Sequence, residues 1–344
     1  MTATKGLTLV AGGAGFIGSH LCRALLEAGK DVVCLDNLQT ARESNLLDLE
    51  RHEGFTFVEA DITQPLPREI TRQAGAFIRI YNLACAASPE LYQADPEHTM
   101  LTSVVGTVHL LRLAEQSRAR FLLASTSEVY GDPEMHPQPE SYRGNVSCIG
   151  PRACYDEGKR AAETLCFDFA RTRRADVRVA RIFNTYGPQM RLEDGRVVSN
   201  LICQALSGEP LTIYGNGTQT RSFCYVADTV DGLRRLMECE AMDLQPVNIG
   251  NQQEITILEL AEELAAMTGE QLEIVHRDLP VDDPQRRRPD ITRAREILGW
   301  EPTTSLRAGL ERTLAWFATE LKTNGAPATM AAMSPEPTVA ARGS

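Results

Sequence analysis

The sequence predicts a doubly wound α/β fold, a parallel sheet with helices on both faces, carrying a smaller interleaved C-terminal lobe. Three observations predict it: short apolar runs alternate with helical periodicities through the first half, a glycine-rich turn follows the first run, and after Pro188 the alternation loosens. Strands that alternate with helices are parallel and joined by right-handed crossovers. At 344 residues the chain holds one large or two ordinary domains, and with 43% apolar and 24% charged residues it can bury a real core.

In order, Leu7–Ala11, Asp31–Leu35, Phe55–Glu59, Phe77–Leu83, Arg120–Ala124 and Val177–Ile182 read as buried strands. Between the first two, Ile17, Leu21, Ala24, Leu25 and Ala28 recur on one face of a helix over 15–28. Beyond Pro188, helical segments at Val197–Leu206, Ala227–Met237, Ile257–Met267 and Arg307–Phe317 are interleaved with strands at Leu211–Tyr214 and Val247–Ile249. This divides the chain into 1–184 plus about 226–250 as one half, and 185–225 plus about 251–322 as the smaller lobe. Residues 323–344 lack periodicity and read as a disordered tail.

With 35 basic against 46 acidic side chains the net charge is −11 and the pI is near 5.2. That argues against nucleic acid or an anionic membrane as partner, since both are held by clustered Lys and Arg. A small anionic ligand needs only a few local cations. The nine cysteines form no C-x-x-C pair and several sit in apolar runs, so they are expected reduced, in a cytoplasmic protein. No run of eighteen apolar residues and no signal-type h-region occurs, so neither membrane nor export is expected. The six histidines show no metal-ligand spacing, so no protein-bound metal is expected.

Gly12-Gly13-Ala14-Gly15-Phe16-Ile17-Gly18 follows the first strand and opens the first helix. Glycines there let the backbone turn tightly and approach a pyrophosphate lying on the helix N-terminus, the signature of a Rossmann sheet. Asp36, eighteen residues beyond Gly18, ends the second strand where a carboxylate takes hydrogen bonds from the ribose hydroxyls. It would repel a 2′-phosphate, which favours NAD over NADP, although Arg42 nearby points the other way. Asp61, after the third strand, reads equally as an adenine contact or a turn cap.

Tyr155 and Lys159 stand at i and i+4, on one helix face. A phenol of pKa about 10 is a poor base at neutral pH, and an ammonium one turn away plus a cationic nicotinamide favours the phenolate. Ser125-Thr126-Ser127-Glu128-Val129-Tyr130-Gly131 ends the fifth strand, at the carboxyl edge where doubly wound sheets bind ligands.

With these motifs the chain resembles the extended short-chain dehydrogenase/reductase superfamily and, within it, the UDP-glucuronate decarboxylases, or UDP-xylose synthases. The resemblance runs over roughly 5–320, through Leu122–Pro133, Ile149–Arg160, Val179–Pro188, Asp194–Asn200, Gly217–Arg221, Asp282–Gln285, Arg288–Ile291 and Leu298–Pro302. It implies a redox-neutral cycle on UDP-glucuronate. Tyr155 would take the C4 hydroxyl proton as the C4 hydrogen passes to NAD, Lys159 would lower the Tyr155 pKa, and Thr126 would bond the C4 oxygen. The resulting β-keto acid loses carbon dioxide, and reduction at C4 gives UDP-xylose.

Ser127 stands where the similar 4,6-dehydratases carry Asp, and Glu128 supplies a carboxylate that simple 4-epimerases usually lack. In the decarboxylases that Glu is proposed to act near the departing carboxylate; its plainer reading is a turn cap. The resemblance places cofactor contacts at Gly12, Gly15, Phe16, Ile17, Gly18, Asp36, Asn37, Thr40, Asp61, Ile62, Leu83, Ala84, Thr102, Tyr155, Lys159 and Thr185. It places substrate contacts at Asn184, Arg191, Arg196, Val197, Val198, Tyr214, Gln219, Arg221 and Arg287, with Arg287 also counted among the catalytic residues. Arginines suit bidentate recognition of a diphosphate and a carboxylate.

The family usually shows Lys at the position of Leu101, Asn at that of Ser103, and Ser-Pro where this chain has Cys85-Ala86. The missing Lys is expected to weaken the grip on the sugar acid or to alter the substrate. Relatives pair through the helices of Tyr155 and of the Thr102 region, which implies a homodimer. Rival readings are an enzyme releasing a 4-keto or branched pentose, a UDP-sugar 4-epimerase, and a catalytically idle NAD-binding regulator.

Overall fold

The computed structural model describes residues 6–240, 243–269, 272–278 and 286–324. Its main sheet is built from β1 (Leu7–Ala11), β2 (Asp31–Asp36), β3 (Phe55–Glu59), β4 (Phe77–Asn82), β5 (Arg120–Thr126), β6 (Asp176–Ile182) and, much later in the chain, Val247–Ile249. All pairings are parallel, in the order Val247–Ile249, β6, β5, β4, β1, β2, β3. The order reverses between β1 and β4, the switch point at which such sheets open a ligand crevice at their carboxyl ends.

Because side chains alternate along a strand and helices cover both faces, the central stretches of these strands are largely apolar on both sides. Val10, Leu122 and Ala180 face one core with Leu21 and Leu25 of the Phe16–Glu27 helix and Leu233 and Leu236 of the Val226–Glu238 helix. Leu9, Phe121, Leu123 and Val179 face the other, with Leu110 of the Thr107–Ser117 helix and Ala162 and Cys166 of the Ala153–Arg171 helix.

The lobe is made of short pieces, β7 (Thr185–Tyr186), β8 (Leu211–Tyr214), β9 (Thr220–Ser222), β10 (Cys224–Tyr225), β12 (Glu254–Thr256), β13 (Ile274–Arg277) and β14 (Arg286–Arg287), while β11 is the Val247–Ile249 strand of the main sheet. Pairs β7·β10 and β8·β13 are parallel, and β9 lies between antiparallel β12 and parallel β14. That register sets Arg287 beside Arg221. No helix among the described residues is long and apolar enough to cross a membrane.

Three details differ from the sequence reading. β3 is half-buried rather than buried, because it is the sheet's edge and lacks a neighbour on one side. The last helix, Leu306–Asn324, outruns the expected end at Phe317 and takes Thr323 and Asn324 from the stretch read as tail. Leu321 packs on the core and Glu320 pairs with Arg42, which holds those extra turns. Residues 325–344, and the motif Asp282–Gln285, lie outside the described residues.

Candidate active site at the carboxyl edge of the sheet

The glycine turn is shaped by close approach. A Cβ on Gly12, whose φ is +77°, would stand 2.6 Å from the Ala84 nitrogen, and one on Gly18 would stand 2.0 Å from the Gly12 oxygen. Gly15 caps the Phe16–Glu27 helix without any side-chain acceptor, so the helix presents its first amides to an anion. Behind it Asp36 accepts from the Ala14 amide at 3.0 Å and the Leu38 amide at 2.9 Å, while burial pushes its carboxyl up against those amides. Arg42 pairs instead with Glu320 and lies over the Trp316 ring at 5.2 Å. A backbone-lined turn, an anion-ready helix end and a buried acid fit a dinucleotide without a 2′-phosphate.

Asp61 does cap its turn, accepting from the Thr63 amide at 2.8 Å, and also meets His98 Nε2 at 2.7 Å. Burial would raise its carboxyl, but these two partners hold it below the usual range. Thr102 lies 3.4 Å from His98 Nδ1. Ile62 is buried, Leu83 and Ala84 flank Gly12, and half-buried Asn37 and Thr40 follow Asp36. Thr185 donates to the Phe183 carbonyl at 3.0 Å and lies as close to Thr229.

Tyr155 and Lys159, 6% and 4% exposed, are set into the edge by the Ala153–Arg171 helix. Lys159 Nζ donates to the Ala124 carbonyl at 3.0 Å and lies 5.9 Å from the centre of the Tyr155 ring. Tyr92 stacks flat on that ring, with centroids 5.0 Å apart. Around the Tyr155 phenol the surroundings act in both directions. Burial dominates and pushes the phenol up, Cys85 adds to it, and a hydrogen bond with Thr126 opposes. Thr126 Oγ1 also accepts from the Glu128 amide at 3.2 Å, so the cap on this turn is Thr126, not Glu128.

The Glu128 carboxylate is held by two guanidinium groups. Oε2 receives Arg152 Nη2 at 2.6 Å and Arg287 Nη2 at 3.0 Å, and Arg287 Nη1 donates to the Ser127 carbonyl. Burial opposes ionisation of Glu128, but Arg287, Arg152 and Arg221 outweigh it and keep the carboxyl below its ordinary pKa. Arg287 is 2% exposed and its Nε has no partner. Of the Arg286–Arg288 run, Arg286 is exposed, Arg287 is buried, and half-buried Arg288 reaches Glu254 at 3.3 Å. Next to Tyr155, buried Asp156 leaves Oδ1 unpartnered, and burial plus the Glu128 charge push its carboxyl to about 7.

Other expected substrate residues are spread more widely. Arg196 is bound to Asp194 through both carboxylate oxygens and lies 5.9 Å from the Phe16 ring, beside the glycine turn. Val197 and Val198 open the Val197–Ser207 helix, and Val198 is buried in the core. Asn184 and Arg191 are half-buried, and the Asn184 carbonyl accepts from the Cys224 amide at 2.8 Å. Gln219 Nε2 donates to the Tyr214 carbonyl at 2.7 Å, closing the turn between β8 and β9. The departures from the family pattern gather in one place: Ser103 Oγ lies 3.5 Å from Cys85 Sγ and faces Gly158 of the Tyr155 helix, and Leu101 is 40% exposed.

Sequence reasoning missed Arg152, Asp156 and Tyr92. Arg152 and Asp156 stand at i and i+4 ahead of Lys159, a spacing that was available as a signal. Tyr92 gave none, since its partner Tyr155 is 63 residues away (155 − 92).

A model of the GDP-mannose 4,6 dehydratase family matches residues 9–313. The chain is 54% identical over 303 residues to UDP-glucuronic acid decarboxylase 5 of Arabidopsis thaliana, covering 88% of this chain and 86% of that one. It is 49% identical over 314 residues to UDP-glucuronic acid decarboxylase 1 of Danio rerio, covering 91% and 73%. Among solved structures it is similar to UDP-glucuronic acid 4-epimerase from Bacillus cereus in complex with UDP-glucuronic acid and NAD, with TM-score 0.81, 28% identity and 91% and 99% coverage. UDP-glucose 4-epimerase of Thermotoga maritima gives TM-score 0.83, 30% identity and 92% and 99% coverage.

Proposed function

The chain belongs to the GDP-mannose 4,6-dehydratase family, of the extended short-chain dehydrogenase/reductase type, and on that premise we propose that it is an NAD-dependent UDP-glucuronate decarboxylase making UDP-xylose. One observation carries the reading: the Arg152–Glu128–Arg287 cluster stands within the same edge as Tyr155, Lys159 and Thr126. Two guanidinium groups on one carboxylate leave net positive charge for a second carboxylate, that of the substrate.

NAD, held by the glycine turn, Asp36 and Lys159, supplies reversible two-electron oxidation at C4. Tyr155 takes the proton of the C4 hydroxyl at its phenolic oxygen and returns it at the end of the cycle, with Thr126 bonded to the C4 oxygen. A ketone at C4 lies β to the sugar carboxylate, so the C5–carboxylate bond breaks with its electron pair delocalised onto the ketone oxygen. Carbon dioxide leaves and C5 takes up one proton, so one proton is consumed per turnover. Arg287 orients the carboxylate, and anionic Glu128 beside it disfavours its charge and promotes its loss. Arg196, Arg191, Tyr214, Gln219, Asn184 and Val197 line the nucleotide end, Arg221 stands beside Arg287, and 1–184 with about 226–250 holds the cofactor. Val198, buried in the core, can act there only through its neighbours.

A homodimer paired through the Tyr155 helix and the Thr102 region, in the cytoplasm, completes the reading; the cysteines are all free thiols, as a reducing compartment keeps them. Incubating purified protein with UDP-glucuronate tests the activity. Mass spectrometry shows loss of one carbon dioxide, and nuclear magnetic resonance shows the xylo configuration. A 4-keto pentose, or UDP-galacturonate with the carboxylate retained, would refute the proposal. Light scattering of the same sample reads the dimer.

A further inference from the structure

The Glu128–Arg287 contact joins residues 159 apart in sequence, and Arg287 sits in a strand of two residues at the edge of a small sheet. So short a strand cannot hold a buried guanidinium in register alone: Ser222 Oγ donates to the Arg287 carbonyl at 3.3 Å, and the backbone that follows is gripped by Gln138 and Asn248. Gln138, 0% exposed, donates its amide to the Arg288 carbonyl at 2.9 Å and accepts from the Arg288 amide through Oε1 at 2.8 Å. Its own carbonyl accepts from the Asp290 amide at 3.0 Å, so Gln138 bridges Pro289 in the manner of an extra strand. Its Nε2 is spent on the Met135 carbonyl at 2.8 Å, which locks the side chain in place.

The other half of the contact is tied to the same frame. Asn248, 0% exposed on β11, donates Nδ2 to the Gln138 and Asp290 carbonyls, both at 2.9 Å. Its Oδ1 accepts from the Tyr130 hydroxyl at 2.8 Å, and Tyr130 closes the turn that carries Ser127 and Glu128. One neutral, buried, fully bonded frame therefore sets both ends of the Glu128–Arg287 spacing, and the side-chain hold it makes nearest to Arg287 is Gln138 Oε1 on the Arg288 amide. Networks of this kind specify geometry closely, because each member left unpaired in the interior is costly.

We propose that Gln138 is a positioning residue for the reaction: it fixes Arg287 in the register at which the guanidinium meets the substrate carboxylate. The proposal rests on the assignment of Arg287 to that carboxylate. Gln138→Met keeps the volume and removes the acceptor; Gln138→Asn keeps the polar head and withdraws it by one methylene. Titration calorimetry of the NAD-loaded protein compares UDP-glucuronate with UDP-xylose, which lacks the carboxylate. Losing one hydrogen bond at this site is expected to weaken UDP-glucuronate about tenfold in Q138M and about threefold in Q138N, with UDP-xylose unchanged within about twofold. A merely structural role would weaken both ligands together, and that result overturns the proposal.

Arg287→Gln supplies the second arm. In that background Q138M is expected to change UDP-glucuronate binding less than about twofold, because two changes acting through one contact do not add. A full tenfold effect there overturns the role of Gln138 while leaving Arg287 as assigned. If R287Q itself weakens both ligands equally, the Arg287 assignment fails, and the role of Gln138 falls with it. Should Q138M not retain NAD, Q138N decides by the same ligand comparison.

Discussion

The redox corner and the carboxylate corner of the site are neighbours built on opposite plans. Thr126, Tyr155 and Lys159 stand on a seven-residue strand and a nineteen-residue helix, and Lys159 is fixed by a hydrogen bond to the backbone carbonyl of Ala124. Glu128, Arg152, Arg221 and Arg287 stand on a short turn, a helix cap and strands of three and two residues, and they are fixed chiefly by each other's charge. The proposed oxidation at C4 falls to the first corner, and the proposed loss of carbon dioxide falls to the second. Rigid elements carry the first step, and the second is carried by pieces that must be assembled.

Breaking the first corner has the largest expected effect. Tyr155→Phe removes the acid–base group and should lower kcat about a thousandfold or more with NAD content unchanged, measured by steady-state assay. Retention of a tenth of the activity would move the proton chemistry elsewhere. Breaking the second corner separates the steps. Arg287→Gln should lower carbon dioxide release about a hundredfold, while reduced nicotinamide formed on adding UDP-xylose, whose C4 can still be oxidised, persists in absorbance spectra. Loss of both signals would show that the corners are one unit.

Leu101→Lys restores a cation where the family usually has one, and calorimetry should show UDP-glucuronate tightened roughly threefold to tenfold, the gain expected from a part-exposed charge. No tightening would mean that exposed Leu101 does not face the sugar acid. The smallest effect is on stability. Folded Asp156 keeps its proton to about 7, against 3.8 without its surroundings, so its contribution is complete at low pH and fades as pH rises through that window. Asp156→Asn should therefore gain roughly 2–5 °C in Tm over the parent between about pH 5 and about pH 8, by thermal melts. Parallel melting curves would mean that Asp156 is not buried without a partner.

Legibility in the sequence follows the same division. Apart from the end of the last helix, the strand and helix limits read from the sequence came within a residue or two, because apolar runs and periodicity report burial directly. Glu128 and Arg287 were reached only through resemblance, since nothing local in Arg286-Arg287-Arg288 says which guanidinium turns inward. Tyr92 escaped because its partner lies far along the chain, and the sign that marks Asp156, a buried carboxyl with an unpaired oxygen, exists only in three dimensions. The burial that pushes the Tyr155 phenol up was illegible for a related reason: spacing shows an ammonium nearby but not how much water the fold removes.

The Glu128–Arg287 and Gln138–Arg288 contacts, separated by 159 and 150 residues, bear on the order in which the protein comes to exist. As the chain leaves the ribosome, the glycine turn, Thr126, Tyr155 and Lys159 have all emerged by residue 159, and Arg287 is still to be made. A nascent chain thus carries Thr126, Tyr155 and Lys159 long before it carries the arginine proposed to meet the substrate carboxylate. Closing loops of that length is among the slowest events in folding a domain. The arginine proposed for the step that commits the substrate is the last of these residues that the polypeptide acquires.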